Sequence, residues 1–380
     1  MDIALSRWSR AGWDHPLPAL DGPSTLVLAF GDSALGSEAE PWGDLRDAYP
    51  QAAVLGCSTA GEILGDAVLD GGLTVAVARF EDTRLAVASV PVAGTDSHDI
   101  GRELGARIVA ADPDVKAVFV LSDGLAVNGS RLVQGFTAAC RPEVAITGGL
   151  AADGDRFQRT WVVVDGAPAE GHVTAVGLSG PRFRVGHGSR GGWDIFGPER
   201  RVTRAEGNVL FELDGQPALD LYKHYLGARA AGLPATALLF PLAVRYGPHD
   251  ERRVVRTILG VDEESRSMTF AGDIPEDGLA QLMRANFERL IDGAGRAAEL
   301  ALVDVDGPSL TVAISCVGRR LLLGERVEDE LEAVVSAFSP GTAIAGFYSY
   351  GEISPITAGT CDLHNQTMTL TSFSEDRIAA

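Results

Sequence analysis

The chain has 380 residues, of which 46 % are hydrophobic and 22 % are charged. These proportions are typical of a globular protein with a buried core, and they exclude a disordered or fibrous chain. The net charge of −20 argues against a nucleic-acid partner, which needs a basic surface. Lys116 and Lys223 are the only lysines, so Schiff-base chemistry has few places to occur.

The cysteines and the hydropathy pattern indicate the compartment. The four cysteines are widely spaced without a CxxC pair, and the N-terminus has no apolar leader. No stretch approaches the roughly 18 consecutive apolar residues of a membrane-spanning helix. We therefore predict a cytoplasmic protein with reduced thiols and no membrane insertion.

The first predicted unit reads strand, helix, strand and glycine turn. Residues 25–33 (TLVLAFGDS) form an apolar run typical of a buried strand, and residues 38–49 predict a helix. Residues 52–63 (AAVLGCSTAGEI) predict a second strand that runs into a glycine turn. Two β-rich stretches follow, at residues 73–80 and 85–90, and are consistent with antiparallel strands added to a central sheet.

A weaker copy of this order lies in the middle of the chain. Residues 116–124 predict a strand, residues 129–139 a helix, and residues 144–154 (VAITGGLAADG) a strand with a glycine turn. Two more β-rich stretches follow, at residues 160–164 and 172–178. Any α/β protein contains such units, so this segment is either a true repeat or an ordinary α/β element.

The composition changes at residues 181–204, which are dense in glycine and arginine, and we place a domain junction near their start. Beyond it the pattern predicts a short helix and three strands, at residues 218–226, 237–246, 253–259 and 268–270. Residues 278–299 show the apolar spacing of an amphipathic helix, with Met283 and Phe287 on its core side.

The last predicted unit repeats the first. Residues 309–318 predict a strand, residues 325–338 a helix, and residues 342–353 (TAIAGFYSYGEI) a strand with its turn, followed by a strand at 367–373. Its turn shares the pattern G-x-x-[ST]-x-G-E-I with residues 56–63, which indicates an internal repeat. The sequence therefore predicts a mixed α/β fold of two domains built from repeated strand–helix–strand units on mixed sheets.

The two glycine–glutamate turns are the first candidates for a site. A glycine before a glutamate at a strand end places a carboxylate beside exposed N–H groups, where ligands of open α/β sheets bind. Glu62 and Glu352 could therefore face one cleft, as a binding pair for a cationic group or as an acid/base pair. Alternatively, each carboxylate receives the N–H groups of its own turn and only fixes it.

Other chemistries leave weaker signals. No spacing typical of a zinc site, a phosphate-binding loop or a serine-hydrolase elbow occurs. Cys57 and Cys316 lack a histidine close in sequence, so each is either a buried apolar residue or a nucleophile whose partner lies elsewhere. A haem needs only one axial histidine, and His187 and His364 are the candidates.

The motifs together resemble the FIST family, with its N-terminal and C-terminal domains in tandem. The likeness runs from about residue 24 to residue 374, and it is carried by the strings GCSTAGEI, SDGLAVNGSRLVQG, ITGGLAADGDRF, GHGSRGGW, ISCVGRRLLLGER, GFYSYGEISP and LHNQTMTLT. It implies an N-terminal-like domain over residues 24–180 and a C-terminal-like domain over residues 181–374. It also implies a sensory module for a small ligand such as an amino acid, coupled to a histidine kinase or another signalling protein in trans.

The resemblance also implies which motif positions bind ligand. These positions are Thr59, Gly61, Glu62, Cys316, Arg319, Tyr348, Gly351, Glu352, His364 and Asn365. We add Asn128 at the start of the predicted middle helix, where its side chain could cap the helix or bind ligand. The leading hypothesis is a sensor without catalytic residues, in which the two glutamates bind the ammonium group of an amino acid and Arg319 binds its carboxylate. The alternatives are a haem-based nitric oxide sensor acting on a histidine kinase, and an enzyme centred on Cys57 or Glu62.

Overall fold

Four β-sheets organise the computed structural model, which describes residues 1–305, 307–357 and 360–377. In chain order the strands are β1 (Asp2–Ser9), β2 (Gly12–Trp13), β3 (Thr25–Asp32), β4 (Ala53–Thr59), β5 (Glu62–Leu64), β6 (Ala67–Leu69), β7 (Leu73–Arg79), β8 (Arg84–Pro91), β9 (Ala117–Ser122), β10 (Ala145–Leu150), β11 (Val162–Val164), β12 (Ala167–Ala169), β13 (His172–Ser179), β14 (Phe183–Arg190), β15 (Asp194–Glu206), β16 (Val209–Leu213), β17 (Gln216–Pro217), β18 (Leu242–Arg245), β19 (Val254–Arg256), β20 (Ile258–Asp262), β21 (Ser267–Phe270), β22 (Leu279–Arg284), β23 (Ser309–Cys316), β24 (Ala343–Ser349), β25 (Gly351–Thr357), β26 (Thr360–His364) and β27 (Met368–Glu375).

Helices connect many of these strands. They are α1 (Glu40–Ala48), α2 (Ser97–Ala111), α3 (Gly129–Ala139), α4 (Ala218–Leu226), α5 (Phe287–Leu300), α6 (Val317–Leu323) and α7 (Val327–Ala337), with short 3₁₀ turns at Ser33–Ser37, Gly227–Gly232, Ala235–Leu239 and Gly324–Arg326. The mixture of helices and mixed sheets confirms the predicted α/β class.

Three of the sheets repeat one topology, and we call the units that carry them module 1 (residues 2–79), module 2 (84–179) and module 3 (183–190 with 287–375). In module 1, β3 runs parallel to β4 and antiparallel to β7, which in turn pairs with β1. In module 2, β9, β10, β13 and β8 have the same order and directions, and so have β23, β24, β27 and β14 in module 3. The middle segment is therefore a true third copy of the repeat.

Each module contributes a hairpin to the sheet of another module. The hairpin β5–β6 of module 1 pairs with β24 of module 3, and β25–β26 of module 3 pairs with β10 of module 2. The hairpin β11–β12 of module 2 completes the ring by pairing with β4 of module 1. Each glycine turn is thus the point where the chain leaves its own sheet and joins another.

The three turns meet through a cyclic set of backbone hydrogen bonds. The Ala60 amide donates to the Tyr348 carbonyl at 2.8 Å, and the Ala152 amide donates to the Ser58 carbonyl at 2.9 Å. The Tyr350 amide closes the ring by donating to the Leu150 carbonyl at 3.2 Å. The repeated turns therefore lie side by side, although they are far apart in sequence.

The three sheets enclose a common apolar interior, and their central strands β3, β9 and β23 are buried on both faces. Phe30 of module 1 stacks on Phe347 of module 3 with ring centroids 4.8 Å apart, and Phe119 of module 2 meets Phe373 of module 3 edge to face at 6.0 Å. On the outer faces, α2 and α3 cover the sheet of module 2, and α5 and α7 cover that of module 3. Strands buried on both faces read as continuous apolar runs, as the sequence pattern predicts.

Residues 194–284 form an insertion within module 3, with an eight-stranded sheet of β15–β22, the helix α4 and an apolar core of their own. We call this segment the insert. The predicted boundary between residues 180 and 181 falls between β13 and β14, where module 2 gives way to module 3. The division into two domains at that point stays a prediction.

The predicted helix at residues 278–299 is partly wrong. Leu279–Arg284 form β22, which pairs with β15 and β18, and only Phe287–Leu300 are helical. The Asn286 side chain accepts the Arg289 amide and starts the helix there. Met283 is buried as predicted, but Phe287 is 41 % exposed because the first turn of α5 faces outward.

Candidate functional site

A cavity of about 780 Å³ opens between module 2, module 3 and the insert. Its volume lies within the range of about 300–1,000 Å³ that small-molecule sites occupy. The longer lining segments are residues 124–128, 232–235, 257–259, 270–272 and 316–318. The cavity lies beyond the carboxyl ends of β9 and β23, where open α/β sheets bind their ligands.

The wall from module 2 is the loop between β9 and α3, which is held by its own side chains. Asp123 accepts the amides of Leu125 and Ala126 at 2.8 Å each. Asn128 accepts the Arg131 amide at 3.1 Å and so caps α3, as predicted for this residue. Its Nδ2 donates to Asp273 of the insert at 2.8 Å. Asn128 therefore both shapes the cavity and ties the insert to module 2.

The wall from module 3 includes Cys316 at the end of β23 and the first residues of α6. Cys316 is buried, and burial raises the pKa of its thiol well above the ordinary value. A neutral thiol is a weak nucleophile and a poor metal ligand. Cys316 therefore contributes a small apolar surface to the cavity.

An aromatic pair forms a third part of the lining. The rings of Phe157 and Tyr350 stack with centroids 4.5 Å apart and an interplanar angle of 6°. The Tyr350 hydroxyl donates to Asp153, whose Oδ1 also accepts the Phe157 amide at 2.9 Å. These contacts hold Phe157 in the left-handed backbone region, at φ 51°, so that its ring covers Tyr350.

The insert supplies the opposite wall and one unpaired hydroxyl. Thr257 is buried and lines the cavity, and its Oγ1 has no hydrogen-bond partner among the described residues. The neighbouring Arg256 is fully buried and donates to the Leu363 carbonyl at 2.7 Å and to the Asp273 carbonyl at 3.0 Å. Arg256 thus anchors the insert to module 3 directly beside Thr257.

The two repeated glutamates do not line this cavity. In both turns the hydroxyl three residues earlier donates to the carboxylate: Thr59 to Glu62 at 2.6 Å, and Ser349 to Glu352 at 2.7 Å. Both carboxyl groups are buried, and burial raises the pKa of each to about 8. Each carboxylate therefore stabilises its own turn, which is the second alternative considered from the sequence. Within each turn the donor is a hydroxyl group, whereas the sequence suggested backbone N–H groups.

The two turns differ in how completely the carboxyl group is bonded. Glu352 Oε2 accepts the Thr367 amide at 3.2 Å and its hydroxyl at 2.8 Å. Glu62 Oε2 makes no hydrogen bond of normal geometry among the described residues, although the nearby Gly72 amide favours its charged form. Gly61 and Gly351 form the bends, and the Gly61 amide donates to the Thr59 hydroxyl at 3.2 Å.

Arg319 is enclosed by protein acceptors. It is fully buried, and its Nε and Nη2 donate to Glu330 at 2.8 and 2.5 Å. Its remaining N–H groups donate to the carbonyls of Gly191, Leu290 and Gln366. Tyr348 joins this cluster by donating its hydroxyl to Glu330 at 3.3 Å. No donor of Arg319 is left to bind the carboxylate of an amino acid.

The candidate haem ligands lie away from the large cavity. His364 is buried and bonds the Ser354 carbonyl at 3.0 Å through Nε2, and burial lowers the pKa of its imidazole. His187 lies at a smaller cavity of about 150 Å³, below the usual size of a ligand site. These residues do not fit a haem.

The predicted ligand residue Asn365 also lies outside the lining of the large cavity. Asn365 is fully buried, and both polar atoms of its amide lack partners among the described residues.

Metal and membrane signals are also absent from the described part of the chain. Residues 1–305, 307–357 and 360–377 contain no group of three or more metal-ligating side chains positioned to hold an ion. The helices within the same ranges all fall short of the length and apolar character that crossing a membrane requires.

Most of the cavity lining has no counterpart among the residues predicted from the sequence. Asn128 and Cys316 line it, but Thr257, Asn208, Phe157 and Tyr350 were not among the predicted ligand contacts. Thr257 and Asn208 belong to the insert, which interrupts the repeat, so the internal comparison of the turns says nothing about them. Tyr350 lies within the repeated turn at a position that is alanine in the first copy, and this difference was an available signal.

We expect Glu352→Gln to reduce the pH dependence of stability. The folded-state pKa of about 8 lies above the ordinary value of 4.5, so the unfolded chain loses this proton first. The protonated Glu352 side chain therefore contributes its full stabilisation below about pH 4.5. Between about pH 4.5 and pH 8 the free energy of unfolding falls by about 1.4 kcal/mol per pH unit, and above the folded-state pKa this contribution is lost. Urea unfolding of both proteins across this window measures the difference. Glu264→Gln, at an exposed turn, is the control, and an equal flattening by both variants would contradict the assignment to burial.

Comparison with known proteins confirms the predicted resemblance to the FIST family. A family model described as the FIST N domain matches residues 25–216, and one described as the FIST C domain matches residues 218–355. An uncharacterised protein of Mycobacterium tuberculosis is 27 % identical over 372 residues, covering 92 % of this chain and 91 % of the relative. An uncharacterised protein of Methanocaldococcus jannaschii is 23 % identical over 359 residues, and the match covers 81 % of this chain but only 65 % of that relative.

Among solved structures, the cyanuric acid hydrolase of A. caulinodans aligns with a TM-score of 0.20 at 12 % identity, covering 78 % of this chain and 100 % of that chain. A likeness of this size carries no functional argument. The two family models, in contrast, together span most of the sequence and follow each other without overlap. The chain therefore belongs to the FIST family of sensory signal-transduction domains, with the N and C domains in tandem.

Proposed function

We propose that this protein is a sensor that binds a small molecule in the 780 Å³ cavity and passes the signal to a separate signalling protein, such as a histidine kinase. The observation that carries the proposal is the position of the cavity. Its walls come from two separately packed parts, the insert on one side and modules 2 and 3 on the other. A ligand that contacts both parts stabilises one arrangement of them over others.

The contacts between the two parts support such a response. Asn128 bonds Asp273, and Arg256 bonds the Leu363 carbonyl and pairs with Asp362, so defined polar contacts join the insert to the modules beside the cavity. Asn128 and Thr257 belong both to the cavity lining and to the segments that make these contacts. Ligand binding would therefore change how the insert packs against modules 2 and 3, and a partner protein could bind one of these arrangements.

A screen by thermal stabilisation tests the proposal. The sequence-based candidates, the α-amino acids and haem, are included with a general metabolite library. We expect stabilising compounds to lose their effect in Ala271→Phe, which places a ring in the cavity, and to keep it in Ala110→Phe, at an exposed position of α2. Compounds that stabilise both variants equally would place the ligand elsewhere and contradict the assignment of the cavity.

Thr257→Val gives an independent prediction for the same site. Because the Thr257 hydroxyl is buried without a partner, its removal should leave the unliganded protein equally stable or up to about 2 kcal/mol more stable. A ligand found in the screen should bind about tenfold more weakly, since it loses one hydrogen bond. Urea unfolding and calorimetry measure the two effects.

Thr147→Val is the matched control. Thr147 is fully buried in β10 and its Oγ1 is equally without a partner among the described residues, but it does not line the cavity. It should change stability in the same direction and leave ligand affinity unchanged. Equal affinity of the ligand for the Thr257 variant and the wild type would remove Thr257 from the site.

A further inference from the structure

We propose that the ligand is an uncharged molecule with a largely apolar body and one small hydrogen-bonding head, and not an anion or a zwitterion. This inference rests on the proposed function, because it describes the occupant of the same cavity. It is carried by three features of the lining: its charges, its apolar surface and its unpaired polar groups.

The charges argue against a carboxylate. Among the lining residues that the structure describes, Asp155 is the one acidic or basic residue, and it is exposed. Lysine, arginine and histidine are absent from the described lining residues. The Arg256 guanidinium lies behind the lining residue Gly272, but it pairs with Asp362 and donates to two backbone carbonyls. An unpaired carboxylate would lose its hydration without a compensating charge, which costs far more than burying a neutral group.

The backbone of the β9–α3 loop does not replace the missing cation. The amides of Leu125 and Ala126 both donate to Asp123. The Gly124 amide donates to the Thr160 hydroxyl at 3.2 Å, and the Asn128 amide donates to the Ser97 hydroxyl at 3.0 Å. Four of the five amides in this wall are therefore occupied by protein acceptors.

The apolar surface is large and continues to the mouth. Phe157 and Tyr350 form a flat aromatic wall, while Leu233, Ile258 and Val317 supply aliphatic surface. The side chains at the mouth include large hydrophobic groups that remain exposed: Leu125, Phe157, Leu259 and Leu321. Covering such surface with the apolar body of a ligand is favourable, because it removes that surface from water.

The unpaired polar groups are all uncharged. The Thr257 hydroxyl belongs to the lining itself. Behind the lining residue Gly318 lies the amide of Gln366, so close that a Cβ at Gly318 would come within 3.0 Å of it. Both polar atoms of this fully buried amide lack partners among the described residues, as do those of Asn365 next to it. Neutral donors and acceptors of this kind match a hydroxyl or carbonyl head.

A series of probes with one aromatic body and different charges tests the ligand class. The probes are 2-naphthylmethanol, which is uncharged, 2-naphthoate, which is an anion, and 2-naphthylalanine, which is a zwitterion. Their naphthyl fluorescence reports binding to the full chain. We expect the alcohol to bind at least about tenfold more tightly than the other two, and Thr257→Val to weaken its binding about three- to tenfold while Thr147→Val does not.

The outcomes separate this inference from the proposed function. If 2-naphthoate or 2-naphthylalanine binds as tightly as the alcohol and Ala271→Phe abolishes that binding, the inference that the ligand is uncharged is wrong, while the cavity remains the binding site. If the alcohol binds Ala271→Phe as well as the wild type, the cavity itself is overturned as the site. If none of the three probes shows saturable binding, the inference that the ligand has a largely apolar body is wrong. Ala126→Trp, at the exposed mouth, serves as a second filling variant should Ala271→Phe fail to fold.

Discussion

Arg319→Ala should destabilise the protein by about 3–5 kcal/mol, because it leaves the carboxylate of Glu330 buried without its counter-charge. Both side chains of this pair have no exposed surface, and Nη2 lies 2.5 Å from the carboxylate. The change also removes the donors to the carbonyls of Gly191 and Leu290. Arg319 therefore joins the start of α6, the residues before the insert and helix α5.

Urea unfolding followed by circular dichroism measures this loss, with Arg326→Ala as the control. Arg326 is a partly exposed arginine of the same region, paired with Glu288 at 2.8 Å and with Asp329 at 2.8 Å. Exposed pairs contribute up to about 1 kcal/mol, so the control should change stability little. The double variant Arg319→Met/Glu330→Leu should be more stable than Arg319→Ala, because it leaves no buried charge unpaired.

The opposite outcome would restore the sequence-based role of this arginine. If Arg319→Ala loses ligand affinity while its free energy of unfolding stays within about 1 kcal/mol of the wild type, the guanidinium acts on the ligand and not on the fold. A loss of stability without a selective loss of affinity supports the structural role.

The repeat could be predicted from the sequence because both of its signals are local. Apolar runs predict the buried strands β3, β9 and β23, and the shared glycine turn marks where β4 and β24 end. The exchange of hairpins between modules leaves no such signal. Glu62 and Glu352 look the same in sequence as ligand-binding groups would, and only their contacts with Thr59 and Ser349 identify them as turn groups.

The cavity could be predicted only in part, because it joins segments of unrelated pattern. Asn128 was identifiable as a helix cap, since an asparagine before an apolar-periodic segment is a common N-cap. Thr257 carries no motif, and its importance depends on a hydroxyl that happens to lack a partner after folding. Arg319 was misleading for the same reason: a motif position does not reveal whether its donors are already occupied.

The copy that departs from the shared turn also lies beside the cavity. Where the outer copies have the hydroxyl–x–glycine–glutamate pattern, module 2 has Ala151, Ala152, Asp153 and Gly154. Asp153 accepts the amides of residues 157–159 and the Tyr350 hydroxyl, and so it holds Phe157 against Tyr350. This copy thus lacks the glycine–glutamate pattern, and its Asp153 instead positions the aromatic wall. All three turns hold the sheets together, and those of modules 2 and 3 also shape the site.

Gly346→Ala should be the second strongly destabilising change, at about 3 kcal/mol or more. Gly346 lies in β24 opposite Ala313 of β23, and a Cβ there would lie less than 3.0 Å from the Ala313 carbonyl oxygen. That oxygen belongs to a buried parallel strand pair and cannot move aside without displacing the sheet. Overpacking of a rigid site of this kind costs about 1–3 kcal/mol for side-chain contacts and more when backbone must shift.

Gly43→Ala is the matched control, because Gly43 lies in α1 and a Cβ there meets no atom within 4 Å. Alanine is the better helix former, so this variant should gain about 0.5–1 kcal/mol. Thermal and urea unfolding of the two variants should thus change in opposite directions. Equal stability of Gly346→Ala and the wild type would mean that β23 and β24 can separate freely. In that case the pairing of β23 with β24 would not depend on glycine at position 346. This pairing brings the turn of module 3 to the other two turns and places Tyr350 at the cavity.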